Sequence, residues 1–137
     1  MSYVIGIDLG TTYSAIAYIN ADGKSEIIAN AEGEKITPSV VLFEDDNVVV
    51  GSYAKSVAVS EGEKVIQFIK RRMGDDYRTH QNGKEYNPEE VSALILKKLK
   101  QDAEAFLHTT TKIEVQGAMS PEDARRSQQN IKSISVE

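Results

Sequence analysis

Two apolar segments joined by a glycine–threonine turn open the chain and constrain its fold more than any other feature. Residues 3–8 (YVIGID) form a nearly continuous apolar run, which is typical of a strand buried on both faces. The GTT sequence at 10–12 interrupts this run, and a second apolar run follows at 13–19. The Asp-Gly pair at 22–23 then predicts a tight turn into a third strand at 24–29. Strands joined by short turns predict an antiparallel meander.

The middle of the chain alternates extended and helical patterns. Residues 39–43 and 48–50 are short apolar runs bounded by turn residues, which predicts two further strands. Residues 51–60 and 64–73 are interpreted as two short helices separated by a break. The Asn-Gly pair at 82–83 predicts a hairpin-type turn.

The strongest helical pattern covers residues 88–107. Asn87 is a suitable N-cap, and Glu90 occupies the capping-box position three residues later. One apolar stripe at helical spacing contains Val91, Leu94, Ile95, Leu99, Ala103 and Phe106. Residues 112–119 then alternate apolar and polar side chains, which predicts a strand with one wet face, and 120–123 open a last, weakly amphipathic helix. This order of strands and helices predicts an α/β or α+β protein.

Composition excludes several classes of function. The chain has 137 residues, a formal net charge of −5 and no cysteine, so disulfides, thiolate metal sites and a cysteine nucleophile are excluded. The mild acidity argues against a nucleic-acid partner. No apolar run approaches the ~18 residues of a membrane span, and no basic leader precedes the first strand. We therefore expect a cytoplasmic protein of about one domain in size, with neither nucleic acid nor membrane as partner.

The segment that carries chemistry is the turn after the first strand. Asp8 lies near the end of that strand, beside a bend that a small residue such as Gly10 makes easily. The backbone N–H groups of Gly10, Thr11 and Thr12 could converge on phosphate oxygens. A carboxylate beside phosphate is repelled unless Mg²⁺ and its waters lie between them. The same pattern also fits a plain strand–turn–strand with a surface aspartate, so the turn alone leaves both interpretations open.

Five separated blocks, in order and spacing, resemble the seventy-kilodalton heat-shock chaperone (DnaK-like) family. They are GIDLGTTYS at 6–14, ITPSVVLF at 36–43, VGSYAK at 50–55, FIKRRMG at 68–74 and NPEEVSALILKKLKQDAEAFL at 87–107. The resemblance implies the ribonuclease H-like, actin-like ATPase fold, here lobe I only, with a mixed sheet and flanking helices. Residues 1–137 would then be a partial nucleotide-binding domain with a divergent tail from about 109 to 137.

The resemblance also implies a site for ATP or ADP with Mg²⁺. Asp8 would face the metal through water and act in catalysis. Gly10, Thr11, Thr12 and Tyr13 would form the first phosphate loop. Lys70 would contact the γ-phosphate and the attacking water, where it stabilises developing charge. Considered without the resemblance, Lys70 belongs to a basic helix end of the kind that is usually solvated.

The implied parent protein couples ATP hydrolysis to binding of unfolded polypeptides, together with a J-domain co-chaperone and a nucleotide-exchange factor. The family's remaining phosphate loops, adenosine pocket, second lobe and peptide-binding domain lie beyond the region present here. Nucleotide affinity needs many simultaneous contacts. We therefore expect residues 1–137 alone to be inactive.

Two alternatives remain open. A sugar or acid kinase of the same superfamily shares the Gly-x-Asp-x-Gly-Thr-Thr turn, although the blocks at 36–43 and 68–74 favour the chaperone branch. A non-catalytic interaction module is the other alternative, because the strand predicted at 112–119 departs from the family pattern. An exposed edge strand also invites self-association.

Overall fold

A computed structural model of the chain describes residues 3–107, 113–115 and 132–136. The two α-helices are α1 (Ser52–Ser56) and α2 (Pro88–Leu107). The strands are β1 (Tyr3–Leu9), β2 (Tyr13–Ile19), β3 (Ser25–Ile27), β4 (Thr37–Pro38), β5 (Val40–Phe43), β6 (Val48–Val50), β7 (Val65–Gln67), β8 (Thr79–Gln81), β9 (Lys84–Tyr86), β10 (Ile113–Val115) and β11 (Lys132–Val136). Two short 3-10 helices cover Gly62–Lys64 and Ile69–Arg72.

These elements fall into two compact units. The first unit holds the described residues of 3–10, 14–36, 99–107, 113–115 and 132–136. The second unit holds residues 11–13 and 37–98. The result is an α/β protein. The strand pairs β1–β2, β1–β11 and β5–β6 are antiparallel.

The first unit is built on a sheet with the strand order β10-β11-β1-β2-β3. The antiparallel pairing of β1 with β2 and of β2 with β3 confirms the predicted meander. Ile7 lies opposite Ile16 in the register, and both are buried. The third strand is shorter than predicted, because it pairs only over Ser25–Ile27, where all three residues are exposed.

Both predicted glycine turns are present. The Asn20 Oδ1 atom accepts hydrogen bonds from the backbone N–H groups of Asp22 and Lys24, both at 3.0 Å, and so closes the turn between β2 and β3. Asn82 and Gly83 have φ values of 52° and 77° between β8 and β9. Two consecutive left-handed residues match the right-handed twist of the flanking strands.

The second unit has a three-stranded sheet, β6-β5-β7, and a separate hairpin of β8 with β9. Val40 and Leu42 on β5 form an apolar cluster with Ala54 of α1 and Val65 of β7. The Phe43 ring lies 4.9 Å from the ring of Tyr86, measured between centroids. The predicted strands at 39–43 and 48–50 are confirmed to within one residue.

The helices predicted in the middle of the chain were partly wrong. Residues 51–60 form a helix only over Ser52–Ser56, and the following residues are turns. In the interval 64–73, Val65–Gln67 is a strand paired with β5, and only Lys64 and Ile69–Arg72 belong to 3-10 helices. Apolar spacing in this short stretch fits a helix, but the burial of β-branched Val65 and Ile66 in the sheet prevails.

The long helix α2 is confirmed with its predicted start. The Asn87 Oδ1 atom accepts the backbone N–H of Glu90 at 2.8 Å, and Glu90 Oε1 accepts the N–H of Asn87 at 3.2 Å. The fully buried positions are spaced by four residues, at Val91, Ile95, Leu99 and Ala103. Phe106, predicted for the same stripe, is 40% exposed. Within the residues described, no helix is both long and apolar enough to cross a bilayer.

Part of the tail lies within the described residues. Of the strand predicted at 112–119, the described residues 113–115 form β10, and the other positions lie outside the described residues. The sequence analysis missed β11, which pairs with both β1 and β10. Among the described strands β10 therefore lies at an edge of the sheet order. The last helix, predicted to open at 120–123, lies outside the described residues.

Substitution Asn87→Ala should lower the free energy of unfolding by about 1 kcal/mol, because it removes one half of the capping box. Chemical denaturation followed by circular dichroism measures the change. The matched control is Gln101→Ala, at an exposed position of the same helix, which should change the stability by less than about 0.5 kcal/mol. Equal effects of the two substitutions would contradict the capping role.

Candidate phosphate-binding site

The turn between β1 and β2 is set by the pairing of the two strands. The last registered pair joins Leu9 to Ser14, and the preceding pair joins Asp8 to Ala15. Asp8 is half-buried near the end of its strand, beside the turn. In the part of the chain that the structure describes, its carboxylate has no ion-pair partner.

The turn has donors that are suited to an anion. Among the described residues, the backbone N–H groups of Thr11 and Thr12 have no hydrogen-bond acceptor. The carbonyl of Thr12 instead accepts the N–H of Ser39 at 2.9 Å, and Ser39 is only 2% exposed. One side of the turn is therefore fixed by a buried residue, while two N–H donors remain available for phosphate oxygens.

The Tyr13 side chain, at the end of the turn, is held by a lysine of α1. The Lys55 Nζ atom donates to the Tyr13 hydroxyl at 2.5 Å and lies 4.5 Å from the ring centroid. The ammonium group therefore contacts both the hydroxyl and the ring of Tyr13. Both residues are exposed, Tyr13 by 40%. The sequence analysis missed this contact because 42 residues separate the partners and no local pattern links them.

Lys70 differs from the two arginines that follow it. The Arg71 guanidinium carbon lies 4.8 Å from the centroid of the Phe68 ring. The Arg72 guanidinium carbon lies 5.3 Å from the centroid of the Tyr77 ring, and its Nη1 atom lies 4.0 Å from Asp75 Oδ2. Lys70 is half-buried, and among the described residues it has neither an ion-pair partner nor an aromatic one.

The backbone before Lys70 is unusual. Phe68 has φ 57°, a left-handed conformation that is uncommon outside glycine. It directly precedes the 3-10 helix Ile69–Arg72, whose first residue is buried. The short helix that carries Lys70 is anchored by Ile69, which is buried.

The predicted site residues are divided between the two units. Asp8 and Gly10 belong to the first unit, whereas Thr11–Tyr13 and Lys70 belong to the second. Among the described residues, no group of three or more acidic or histidine side chains could hold a metal. One carboxylate suits Mg²⁺ only through water and alongside phosphate oxygens, since Mg²⁺ keeps several waters in such sites. Asp8 fits that limited role.

Comparison with known proteins identifies the family to which these segments belong. The Hsp70 protein family matches residues 4–118, and the chain belongs to this family. Similar proteins include the chaperone protein DnaK of Thermotoga neapolitana, 54% identical over 106 residues, and that of Thermotoga maritima, 53% identical over 106 residues. DnaK of Thermosipho melanesiensis is 50% identical over the same length. The family implies the actin-like ATPase fold.

The aligned region is short by comparison with these relatives. It covers 77% of this chain but only 18% of each DnaK protein.

Substitution Gly51→Ala should destabilise the chain by about 1–3 kcal/mol, because Gly51 has φ 117° at the start of α1, which carries Lys55. An added Cβ would also meet Thr37 Cγ2 at 3.4 Å. Thermal unfolding measures the effect. Gly62→Ala is the matched control, since Gly62 has ordinary φ and open space around it. A Gly51→Ala variant as stable as the control would refute the backbone constraint.

Proposed function

We propose that the chain forms lobe I of the nucleotide-binding domain of a DnaK-like chaperone and supplies one wall of its Mg-ATP cleft. The observation that carries this proposal is the turn after β1, in which the N–H groups of Thr11 and Thr12 have no acceptor among the described residues; the half-buried Asp8 precedes this turn in the chain. Membership of the Hsp70 family supports the nucleotide as the anion that the turn binds.

Each residue has a distinct role in this proposal. Thr11, Thr12 and Tyr13, with Gly10 at the bend, hold phosphate oxygens through backbone donors. Asp8 orients water toward Mg²⁺, which when bound neutralises phosphate charge. Lys70 directs its ammonium group at the γ-phosphate and the attacking water, where negative charge develops during transfer.

We further propose that residues 1–137 by themselves bind Mg-ATP weakly and do not hydrolyse it. A half-cleft cannot make enough contacts to offset the loss of translational freedom. The complete protein would act in the cytoplasm and couple hydrolysis to binding of unfolded polypeptides, with a J-domain co-chaperone and a nucleotide-exchange factor as partners. The DnaK relatives support these roles by their similarity over the aligned region.

A hybrid protein tests the catalytic assignment. In Thermotoga neapolitana DnaK, the aligned 106 residues are replaced by those of this chain. The hybrid should hydrolyse ATP, and Lys70→Ala should reduce kcat by about 10²-fold or more, because it removes charge stabilisation in the transition state. Release of inorganic phosphate is measured without any added phosphoryl acceptor, which separates a chaperone ATPase from a sugar or acid kinase.

The control in the hybrid is Lys97→Ala, which removes an equal charge from an exposed position of α2. It should leave kcat within about twofold, since an exposed charge is largely screened by salt. A Lys70→Ala hybrid as active as this control would rule out the role of Lys70. Phosphate transfer to a small-molecule acceptor would favour the kinase.

A non-catalytic interaction module remains the second proposal, because β10 lies at the edge of the described sheet. Among the described strands only β11 pairs with β10, so the other side of β10 could add a strand from another copy of the chain. Light scattering across a hundredfold range of concentration should then show a mass that rises toward that of a dimer. A mass of 15.1 kDa at every concentration would exclude self-association.

A further inference from the structure

The turn proposed to bind phosphate is anchored by two contacts of different kinds. The first is the hydrogen bond from the buried Ser39 N–H to the Thr12 carbonyl, which fixes the middle of the turn. The second is the hydrogen bond from Lys55 Nζ to the hydroxyl of Tyr13, which fixes its end. Only the second contact brings a positive charge to the turn.

The backbone of Lys55 is held in place although its side chain is exposed. Lys55 lies in the last turn of α1, and its backbone N–H donates to the carbonyl of Gly51 at 3.0 Å. The neighbouring Ala54 is fully buried against Val40 and Leu42 of β5. The helix therefore cannot shift without disturbing the core of the second unit.

The ammonium group of Lys55 retains donors for a ligand. An ammonium has three N–H donors, and the bond to Tyr13 uses one of them. In the described part of the chain, no carboxylate lies within ion-pair distance of Lys55. Its positive charge is thus not neutralised within the described chain and lies at the hydroxyl of Tyr13, the residue that follows the two free N–H donors of the turn.

From this geometry we propose that Lys55 is a positioning residue for the phosphate turn. It orients Tyr13 through the hydroxyl and adds positive charge beside the phosphate oxygens. This inference rests on the proposed function of the turn. It assigns Lys55 to nucleotide affinity and leaves the chemical step to other residues.

The first test uses the chain itself and needs no activity. Substitution Lys55→Met keeps an unbranched side chain only one atom shorter but removes the donor and the charge. Amide ¹H–¹⁵N spectra should show shifted resonances for Thr12 and Tyr13. Tyr13→Phe, an exposed change that removes only the hydroxyl, should shift the same amides. Lys97→Met is the matched control and should leave them unchanged.

The second test uses the DnaK hybrid. Lys55→Met should raise KM for Mg-ATP about five- to tenfold, the range expected for loss of one charge-assisted hydrogen bond, with kcat changed by less than about twofold. Lys55→Arg should restore much of the affinity, because it keeps the charge and a donor. The double variant Lys55→Met, Tyr13→Phe should raise KM by less than the product of the two single-variant fold increases.

The outcomes separate this inference from the proposed function. If Lys55→Met matches Lys97→Met in both spectra and KM, the positioning role is wrong, whatever Lys70→Ala does. Lowered kcat with unchanged KM would also overturn it. If the hybrid with Lys55 intact is inactive, the proposed function fails, while the spectra of the chain still decide whether Lys55 holds the turn.

Discussion

The antiparallel pairing of β1 with β2 determines where the functional groups of this chain can lie. Ile7 opposite Ile16 buries one face of the pair, and the pair of Leu9 with Ser14 leaves only four residues for the connection. A slip of one residue in this register would exchange the buried and exposed faces and would move Asp8 to the opposite face of the sheet. The position of the carboxylate and the shape of the turn therefore depend on the same set of backbone hydrogen bonds.

The electrostatics of the proposed site depend on charged side chains that have no ion-pair partner among the described residues. Arg71 and Arg72 have partners nearby on the surface, whereas Lys70 and Lys55 have no ion-pair partner within the described residues. Asp8 also has no ion-pair partner within the described residues. Charges that the folded chain does not neutralise itself are suited to a charged ligand with its metal ion.

The sequence predicted the elements whose signals are local. The meander, the Asn-Gly hairpin turn and the capping box of α2 each depend on residues within a few positions of one another, and each was confirmed. The helix at 64–73 was wrong over Val65–Gln67, because pairing with β5 is a long-range interaction that a short apolar pattern does not reveal. The alternating pattern of 132–136 could have indicated β11, which the sequence analysis missed.

For the candidate site, the sequence located the turn and singled out Lys70. The sequence did not predict the hydrogen bond between Lys55 and Tyr13, because that contact depends on how α1 packs against β5. It also could not show that the Ser39 N–H fixes the Thr12 carbonyl. Contacts of this kind depend on tertiary packing, which binary patterns of residues do not encode.

The most direct test of this account is a calorimetric titration of residues 1–137 with Mg-ATP, beside a Thr11→Ala, Lys70→Ala double variant. Under the proposal that the chain carries one wall of the cleft, we predict no saturable heat up to millimolar nucleotide, with circular dichroism showing a folded α/β protein. Binding tighter than about 10 μM, near −7 kcal/mol, and lost in the variant would contradict the account. The nucleotide site would then be complete within these residues or within an assembly of them.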